Sequence, residues 1–586
     1  MTVFDPTAPF VLLDDARRDG GGELFAAPIE IIEATSPDAV RPALERLRGA
    51  IAGGRWVAGF LGFEAGYVLE PRLQPRFRPP ADGLPLLWFG LFERRAALAP
   101  GEVAALLVDR RATLGPLVPR IDESAYAAMV REAQALIAAG DIYQANVTFT
   151  ADVAIDGHPL ALYRRLRAAQ GAPYGAVVHT GRAWALSFSP ELFFTLADGA
   201  LTARPMKGTA ARSPLADADA AAALAADPKN RAENLMIVDL LRNDLSRIAV
   251  AGSVEVDALF KVETYPTVHQ MTSTVTATLA PGYDAIGVLE TLFPCGSVTG
   301  APKIRAIEVI ADIEPTPRGL YTGSIGRIGP DGGAAFSVAI RTLVIGDDRR
   351  RASLGLGAGI VADSDPADEW AECLTKAAFL GRAPRRFDLI ETLRFDPKSG
   401  LVRLPAHMAR LGASAGYFGF QFDRHLVLNQ IQATIGELIE PMRIRLLLAG
   451  DGMIAVQASP LPPVPTGAVE VTLAALAVEP GDVRLFHKTT DRDFYDTPRR
   501  ASDAFETLFV SERGELTEGS FTTVFVPRGD RLLTPPLSAG LLPGVLRAEL
   551  IDAGRAVEAS LTAGDLTGEF FIGNSLRGLI RAKLRN

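Results

Sequence analysis

The stretch Asn230-Arg-Ala-Glu-Asn-Leu-Met-Ile-Val-Asp-Leu-Leu-Arg-Asn-Asp-Leu-Ser-Arg-Ile248 decides how the larger part of the chain is read. Leu235, Val238, Leu241, Leu245 and Ile248 recur at steps of three and four, which predicts one long helix with Glu233 off its apolar stripe. Upstream, Tyr126, Met129, Val130, Ala133 and Ile137 predict a helix over 121–140, and Gly-rich turns break residues 1–120 into strands and short helices. The Ala/Asp-rich run 214–227 reads as an exposed loop or helix. Downstream, one helix starts at Pro302 and another at Pro366, with Asp365 as its N-cap. After Lys376 the pattern resets: Arg382-Ala-Pro-Arg-Arg386 reads as a junction, and a second unit opens on Phe387-Asp-Leu-Ile-Glu391-Thr392. Inside it, the Pro-rich stretch Pro460 to Pro465 separates a smaller segment from a final one. The expected layout is one domain over 1–383 and another over 387–586.

Composition narrows the class. A chain of 586 residues with 48% hydrophobic and 22% charged residues packs into more than one globular domain and is not disordered. Two Cys cannot build a disulfide framework or a Cys-rich metal site. A net charge of -9 argues against nucleic-acid and anionic-membrane binding. There is no apolar run of about 18 residues and no signal-like N-terminus, so a cytoplasmic protein is expected. Of the 60 basic residues only eight are Lys. Lys can shed its proton and act as a nucleophile where Arg cannot, so each one is informative.

Four constellations could carry chemistry. Lys207 sits in Arg204-Pro-Met-Lys-Gly-Thr209, downstream of Ser187-Phe-Ser-Pro-Glu191. It is either a surface-turn lysine or an amine aimed into a cleft, where desolvation would make it nucleophilic. Glu369, Glu372 and Lys376 share one helical face. That face is either solvated or, with Glu233, offers the oxygen ligands that Mg²⁺ prefers. Gly296-Ser-Val-Thr-Gly-Ala-Pro-Lys303 and Gly355-Leu-Gly-Ala-Gly359 are Gly-rich segments that, read as loops, could present N–H groups to an anionic substrate. In the second unit, Lys488, Glu518 and the helix start at Leu542-Pro-Gly-Val-Leu-Arg547 offer an amine, an acid and an anion seat. Those are the three things pyridoxal phosphate needs; an ordinary strand-end lysine, exposed glutamate and turn are the alternative.

The order of these motifs, with Gly140-Asp-Ile-Tyr-Gln144-Ala-Asn, Ile340-Arg341-Thr342 and Gly357-Ala-Gly-Ile-Val-Ala-Asp-Ser364, resembles the chorismate-utilising enzymes, and among them the aminodeoxychorismate synthases. The resemblance implies an α+β fold, with a chorismate-binding two-sheet α/β sandwich. It assigns Glu233 and Glu372 to Mg²⁺ with Glu369 in the outer shell, Gly357, Ala358 and Gly359 to a carboxylate cradle, and Arg341 and Tyr321 to the pyruvyl side. Thr299, Gly300 and Lys376 fall in substrate-site motifs, and His269 near the reacting ring. Lys207 stands where anthranilate synthases carry Ala. Gln144 stands where isochorismate and salicylate synthases use a Lys to activate water. Together they imply amination para to the ring carboxylate, with Lys207 attacking the ring and Glu191 as general acid. Asn230 departs from an acidic residue common in relatives.

From residue 387 onward, Glu391-Thr-Leu-Arg, Leu404-Pro-Ala-His-Met-Ala-Arg410-Leu, Thr517-Glu-Gly, Gly540-Leu-Leu-Pro-Gly544 and Gly573-Asn-Ser-Leu-Arg-Gly578 resemble the class IV aminotransferases, especially the aminodeoxychorismate lyases. The implied fold is a smaller domain of two subdomains. The resemblance gives Lys488 the cofactor and proton shuttling, and sets Glu518 against the pyridinium. It sets Arg410, the N–H groups of Val545 and Leu546, and Asn574 with Ser575 around the phosphate. Leu546 and Thr523 replace a Thr and an Asn common in relatives. The implied function is conversion of chorismate and ammonia to 4-amino-4-deoxychorismate, then loss of pyruvate to give 4-aminobenzoate for folate. No glutaminase is recognisable, so ammonia is expected from a separate glutamine amidotransferase subunit or from solution, and a homodimer through the class IV domain is conceivable. The competing readings are an anthranilate synthase component I fused to an amino-acid transaminase, and a synthase with a non-catalytic docking domain.

Overall fold

The computed structural model describes residues 4–17, 20–80, 83–107, 111–265, 268–381, 387–463 and 465–585. The chain forms two compact units: residues 1–212 with 218–384, and residues 385–586 with 213–217. The expected junction at 382–386 lies outside the described residues.

Among the described residues the first unit holds two ten-stranded antiparallel sheets. One runs from Gly300–Ala301 through Gln144–Asp156, Arg351–Ile360, Thr342–Ile345 and Trp184–Ser189 to Ala96–Leu98. The other runs from Met206–Ala211 through Val268–Thr278, Ala200–Arg204, Leu192–Ala197 and Ala334–Val338 to Glu30–Ala34. Their inner faces interdigitate: Val11, Phe25 and Val344 of the first meet Phe60, Trp88 and Phe92 of the second in one buried cluster. Helices Glu123–Ala138 and Pro159–Gln170 cover the outer face of the first sheet, and Pro37–Ala52 and Pro228–Ser246 that of the second. The expected sandwich is therefore present. The 16-residue helix Pro37–Ala52 is longer than the short helices expected before residue 120.

The expected cap at Asp365 is present, and the helix starting after Ile121 has one of its own at Asp122. Asp122 accepts from the Ala125 N–H, and Asp365 from those of Ala367 and Asp368. Pro302 is the N-cap of Lys303–Ile313. The run 214–227 contains the helix Asp217–Ala226. Two readings need correction. Leu235 does not belong to the buried stripe: it is 44% exposed, and Asn234 and Asp244 are buried with Ile237, Val238, Leu241 and Leu245. The helix turns two polar groups inward because each has a partner there. Asn234 accepts from the Ser273 hydroxyl at 2.5 Å, and Asp244 accepts from Lys303 Nζ at 2.9 Å. Gly355–Gly359 is not a loop but the middle of strand Arg351–Ile360, which pairs along its length with Gln144–Asp156.

The second unit has two sheets among its described residues. A four-stranded one (Gly400–Leu401, Leu389–Asp396, Met442–Leu448, Ile454–Pro460) is backed by helices Leu404–Phe418 and Arg424–Ile435 around Leu393, Leu411, Ile431 and Ile444. An eight-stranded one spans the rest, and its strand Val469–Ala475 is parallel to both neighbours, Glu506–Val510 and Gly578–Leu584.

Candidate active sites

In the first unit, Lys207 is aimed by an irregularity. The pairing of Met206–Ala211 with Val268–Thr278 slips between Met206 and Thr209, and Gly208 at the slip has φ +91°. The Gln270 side chain donates to the Gly208 carbonyl at 2.7 Å, and Asn234 reaches the Lys207 carbonyl at 3.4 Å. The amine so placed lies 4.0 Å from Glu233 Oε2. It also faces Gly359: a Cβ there would stand 2.6 Å from Lys207 Nζ and 2.4 Å from Gln144 Nε2. One glycine thus lets an amine, an amide and a strand backbone approach one another. Gly357 does the same for Thr148, whose Cγ2 would be 2.6 Å from an added Cβ.

Around this amine the buried Gln144 Oε1 and Asn146 Nδ2 have no hydrogen-bond partner among the described residues. They stand on one face of one strand, two residues apart. Unsatisfied buried polar atoms of this kind suit a polar ligand. Glu191 is buried, and the Ser297 hydroxyl donates to its Oε1 at 2.5 Å. Burial pushes its carboxyl up to about 7, against the pull of that hydrogen bond and of nearby Lys207.

The carboxylates expected to hold a metal gather around lysines. Lys376 bridges Glu372 at 2.7 Å and the Gly357 carbonyl at 2.9 Å, and Glu369 accepts from Ser364 at 2.7 Å. Burial works to raise Glu372, but Lys376, Lys207 and Lys229 outweigh it and hold it below its ordinary value. Burial leaves Glu369 raised, with Glu372 adding to the shift. No three His, Cys, Asp or Glu side chains among the described residues are preassembled for a metal ion. The donors nevertheless suit Mg²⁺, which takes one or two carboxylates and fills its sphere with water and substrate oxygens. Lys229 belongs to this cluster although no sequence motif marks it: it pairs with Asp363 at 3.2 Å, and its charge also acts on Glu233 and Glu369. Its spacing of four from Glu233 on one helix was the available signal.

The remaining expected residues fall less centrally. His269 is buried on the neighbouring strand opposite Ala210, its Nδ1 3.0 Å from Thr264 Oγ1. Tyr321 packs its ring on Gly355, and Arg341 Nη1 donates to Gln170 at 2.9 Å. Gly300, with Ala301, pairs with Ala145 and Gln144, so these residues form a strand edge rather than an open nest. Thr299 is buried and donates to the carbonyls of Cys295 and Gly296. Lys303, expected in a substrate motif, is a strut: it is buried between Asp244 and the Leu292 carbonyl.

In the second unit a cavity of about 400 Å³ brings Lys488, Thr392, Glu518, Arg410, Val545, Leu546, Asn574 and Ser575 to one wall system. Lys488 Nζ lies 3.4 Å from Thr392 Oγ1. Burial pulls its amine down to about 7, and Arg410 assists. Burial pushes Glu518 up to about 7, against hydrogen bonds from Tyr495 at 2.7 Å and the Leu542 N–H at 3.0 Å. Helix Val545–Asp552 follows the N-cap Gly544, and its first N–H groups lack partners within the helix. Glu391, which carried no assigned role, is the hub here: it accepts from Arg410 at 2.7 and 2.8 Å and pairs with His407 at 2.7 Å. His407 Nε2 in turn meets Ser575 Oγ at 2.8 Å. Asn574 is occupied: it donates to the Phe521 carbonyl, and its oxygen accepts from the N–H groups of Leu576 and Arg577. An amine near neutrality, an acid opposite it and an Arg beside a helix start fit pyridoxal phosphate.

Comparison with known proteins agrees with this division. Residues 9–382 match the family described as chorismate binding enzyme, and residues 388–584 match amino-transferase class IV. The chain belongs to the chorismate binding enzyme family and carries a class IV aminotransferase-like fold after that domain. It is 44% identical over 273 residues to aminodeoxychorismate synthase of Streptomyces griseus, covering 46% of this chain and 38% of that one. It is 43% identical over 253 residues to aminodeoxychorismate synthase component 1 of Klebsiella aerogenes, covering 43% of this chain and 56% of that one. The crystal structure of anthranilate synthase component I from Streptococcus pneumoniae superposes with a TM-score of 0.54 at 26% identity, over 65% of this chain and 94% of that one. The chain thus spans 38% to 56% of the length of these two curated relatives. No helix among the described residues is long and apolar enough to cross a membrane.

Proposed function

We propose that the first unit makes 4-amino-4-deoxychorismate from chorismate and ammonia, and that the second removes pyruvate from it to give 4-aminobenzoate on the way to folate. The observation that carries the first half is the Lys207 amine, set against Gly359 and Gln144. Lys207 Nζ bonds to the ring as the ring hydroxyl leaves, and Glu191 gives that hydroxyl its proton so that it departs as water. Ammonia then bonds to the ring, the Nζ–ring bond breaks with its electron pair returning to Lys207, and Glu191 takes back the proton that ammonia sheds. Splitting the displacement in two avoids expelling hydroxide directly. A carboxyl that titrates near 7 can give and regain a proton at neutral pH. Glu233 and Glu372 would hold Mg²⁺ with the ring carboxylate. Ammonia comes from a separate amidotransferase component or from solution.

In the second unit Lys488 would carry pyridoxal phosphate, which when bound supplies an electron sink beside the substrate amine. Glu518, its carboxyl raised to about 7 by burial, would stand against the pyridine nitrogen and hold a proton there. Arg410, the N–H groups of Val545 and Leu546, and Ser575 held by His407 would cradle the phosphate. Lys488 Nζ moves the proton at the reacting carbon, as an amine titrating near 7 can.

The test supplies the full chain with chorismate, ammonium and Mg²⁺, with and without pyridoxal phosphate, and identifies the products. 4-Amino-4-deoxychorismate without the cofactor and 4-aminobenzoate with it are expected. Anthranilate as product, or normal synthesis by a Lys207→Ala variant, overturns the first half. No visible absorption band after incubation with pyridoxal phosphate, or one that survives Lys488→Ala, overturns the second.

A further inference from the structure

Eight arginines line the second unit's cavity. Four are already neutralised: Arg410 by Glu391, Arg484 by Asp482, Arg492 by Asp496 and Arg547 by Glu558. For the other four, Arg443, Arg445, Arg499 and Arg577, no ion-pair partner occurs among the described residues. Two of them share one aromatic face system: the guanidinium carbons of Arg577 and Arg499 lie 5.2 Å and 5.5 Å from the Phe521 ring centroid. Arg577 Nε is buried without a hydrogen-bond partner among the described residues. Burial, Arg443 and Arg499 together push the Arg577 guanidinium below its ordinary range. Asn574 fixes this arrangement, holding the Phe521 carbonyl with its amide and the Arg577 N–H with its oxygen.

Like charges gathered at a cavity wall with an unused donor are incomplete without an anion. The guanidinium fork matches a carboxylate. The proposed phosphate seat draws on Arg410, Ser575 and the helix start and uses neither Arg577 nor Arg499, so the missing anion is assigned to the substrate. We propose that Arg577 and Arg499, held on Phe521, seat a substrate carboxylate remote from the reacting amine, so that this cavity selects a dianionic amine over a monocarboxylate amino acid. The proposal rests on the reading of the second unit as the lyase and deepens it: 4-amino-4-deoxychorismate carries two carboxylates, one on its ring and one on its enolpyruvyl arm. A general amino-acid transaminase would need only one.

The full chain loaded with pyridoxal phosphate is titrated with isophthalate and with benzoate, followed by the visible absorption of the bound cofactor, which reads this cavity alone. Isophthalate is expected to bind about tenfold tighter than benzoate, because its second carboxylate adds a hydrogen-bonded charge contact. Arg577→Gln and, independently, Arg499→Gln should lower isophthalate affinity about tenfold and leave benzoate affinity and cofactor uptake unchanged. Arg577→Lys should restore part of the loss. Equal affinities in the unaltered chain, or variants that weaken both ligands alike, overturn the proposal. Loss of cofactor uptake in both variants also overturns it, since the cluster would then be a phosphate seat. In parallel, KM for 4-amino-4-deoxychorismate should rise in the variants. An unaltered chain that releases no 4-aminobenzoate from that substrate, yet shows the isophthalate preference and its loss, overturns the lyase reading and supports the seat.

Discussion

Glu191 gives the sharpest test of the first site. Its carboxyl is buried and titrates at about 7 rather than in the ordinary carboxylate range. The shift has a sign: a raised value keeps the acid form through neutral pH and loses it above. About half the molecules hold the proton at pH 7, about a tenth at pH 8 and about a hundredth at pH 9. Formation of 4-amino-4-deoxychorismate at low chorismate should therefore fall about tenfold per pH unit above 7. The Ser297 hydroxyl, 2.5 Å from Oε1, stabilises the charged form. Ser297→Ala removes a hydrogen bond to a charge, worth about 1.5–3 kcal/mol, and should move the falling limb up by about one to two pH units. Glu191→Gln cannot donate the proton; it should cost about 10²–10⁴ in rate and abolish the limb. The assay measures product from chorismate at fixed free ammonia concentration, so that the ammonia equilibrium does not create a limb of its own. A Glu191→Gln enzyme that keeps the alkaline limb, or a Ser297→Ala limb that moves down, refutes the general-acid role.

Two further outcomes follow from the packing. Gly359→Ala would press a methyl group against Gln144 and Lys207. Shifting the amine by about 1 Å should lower the chorismate reaction about a hundredfold, while turnover of supplied 4-amino-4-deoxychorismate by the second unit is unchanged. Glu391→Ala leaves Arg410 buried without its carboxylate; the expected cost is about 3–5 kcal/mol, read as a lower melting temperature of the full chain and weaker pyridoxal phosphate uptake.

The parts of this architecture written as local periodicity were legible. The long helix, found at Pro228–Ser246 where the spacing gives 230–248, and the cap at Asp365 follow from apolar spacing and turn chemistry. What was not legible depended on distant partners. Asn234 and Asp244 look like surface residues until Ser273 and Lys303 arrive from other elements. Gly355 to Gly359 reads as a loop because glycine is poor in strands. Only the facing Tyr321, Thr148, Gln144 and Lys207 explain why a strand needs it there. Lys207 and Lys488 stood out because lysine is scarce. Arg577 was invisible for the opposite reason, one arginine among many, and its meaning came from Phe521 and an unpaired Nε.

The Glu391 hub bears on how the second unit comes together. Glu391 lies on strand Leu389–Asp396, His407 and Arg410 on helix Leu404–Phe418, and Ser575 beside strand Glu569–Asn574 of the other sheet. On the function proposed above, the phosphate seat would draw on both sheets of the unit, and neither alone supplies it. Pyridoxal phosphate bound there would act as a clasp: its uptake would report that both layers have docked, and by mass action would hold them docked. The loosened form should be the one without cofactor, with protease-sensitive sites between the layers becoming protected as the clasp closes.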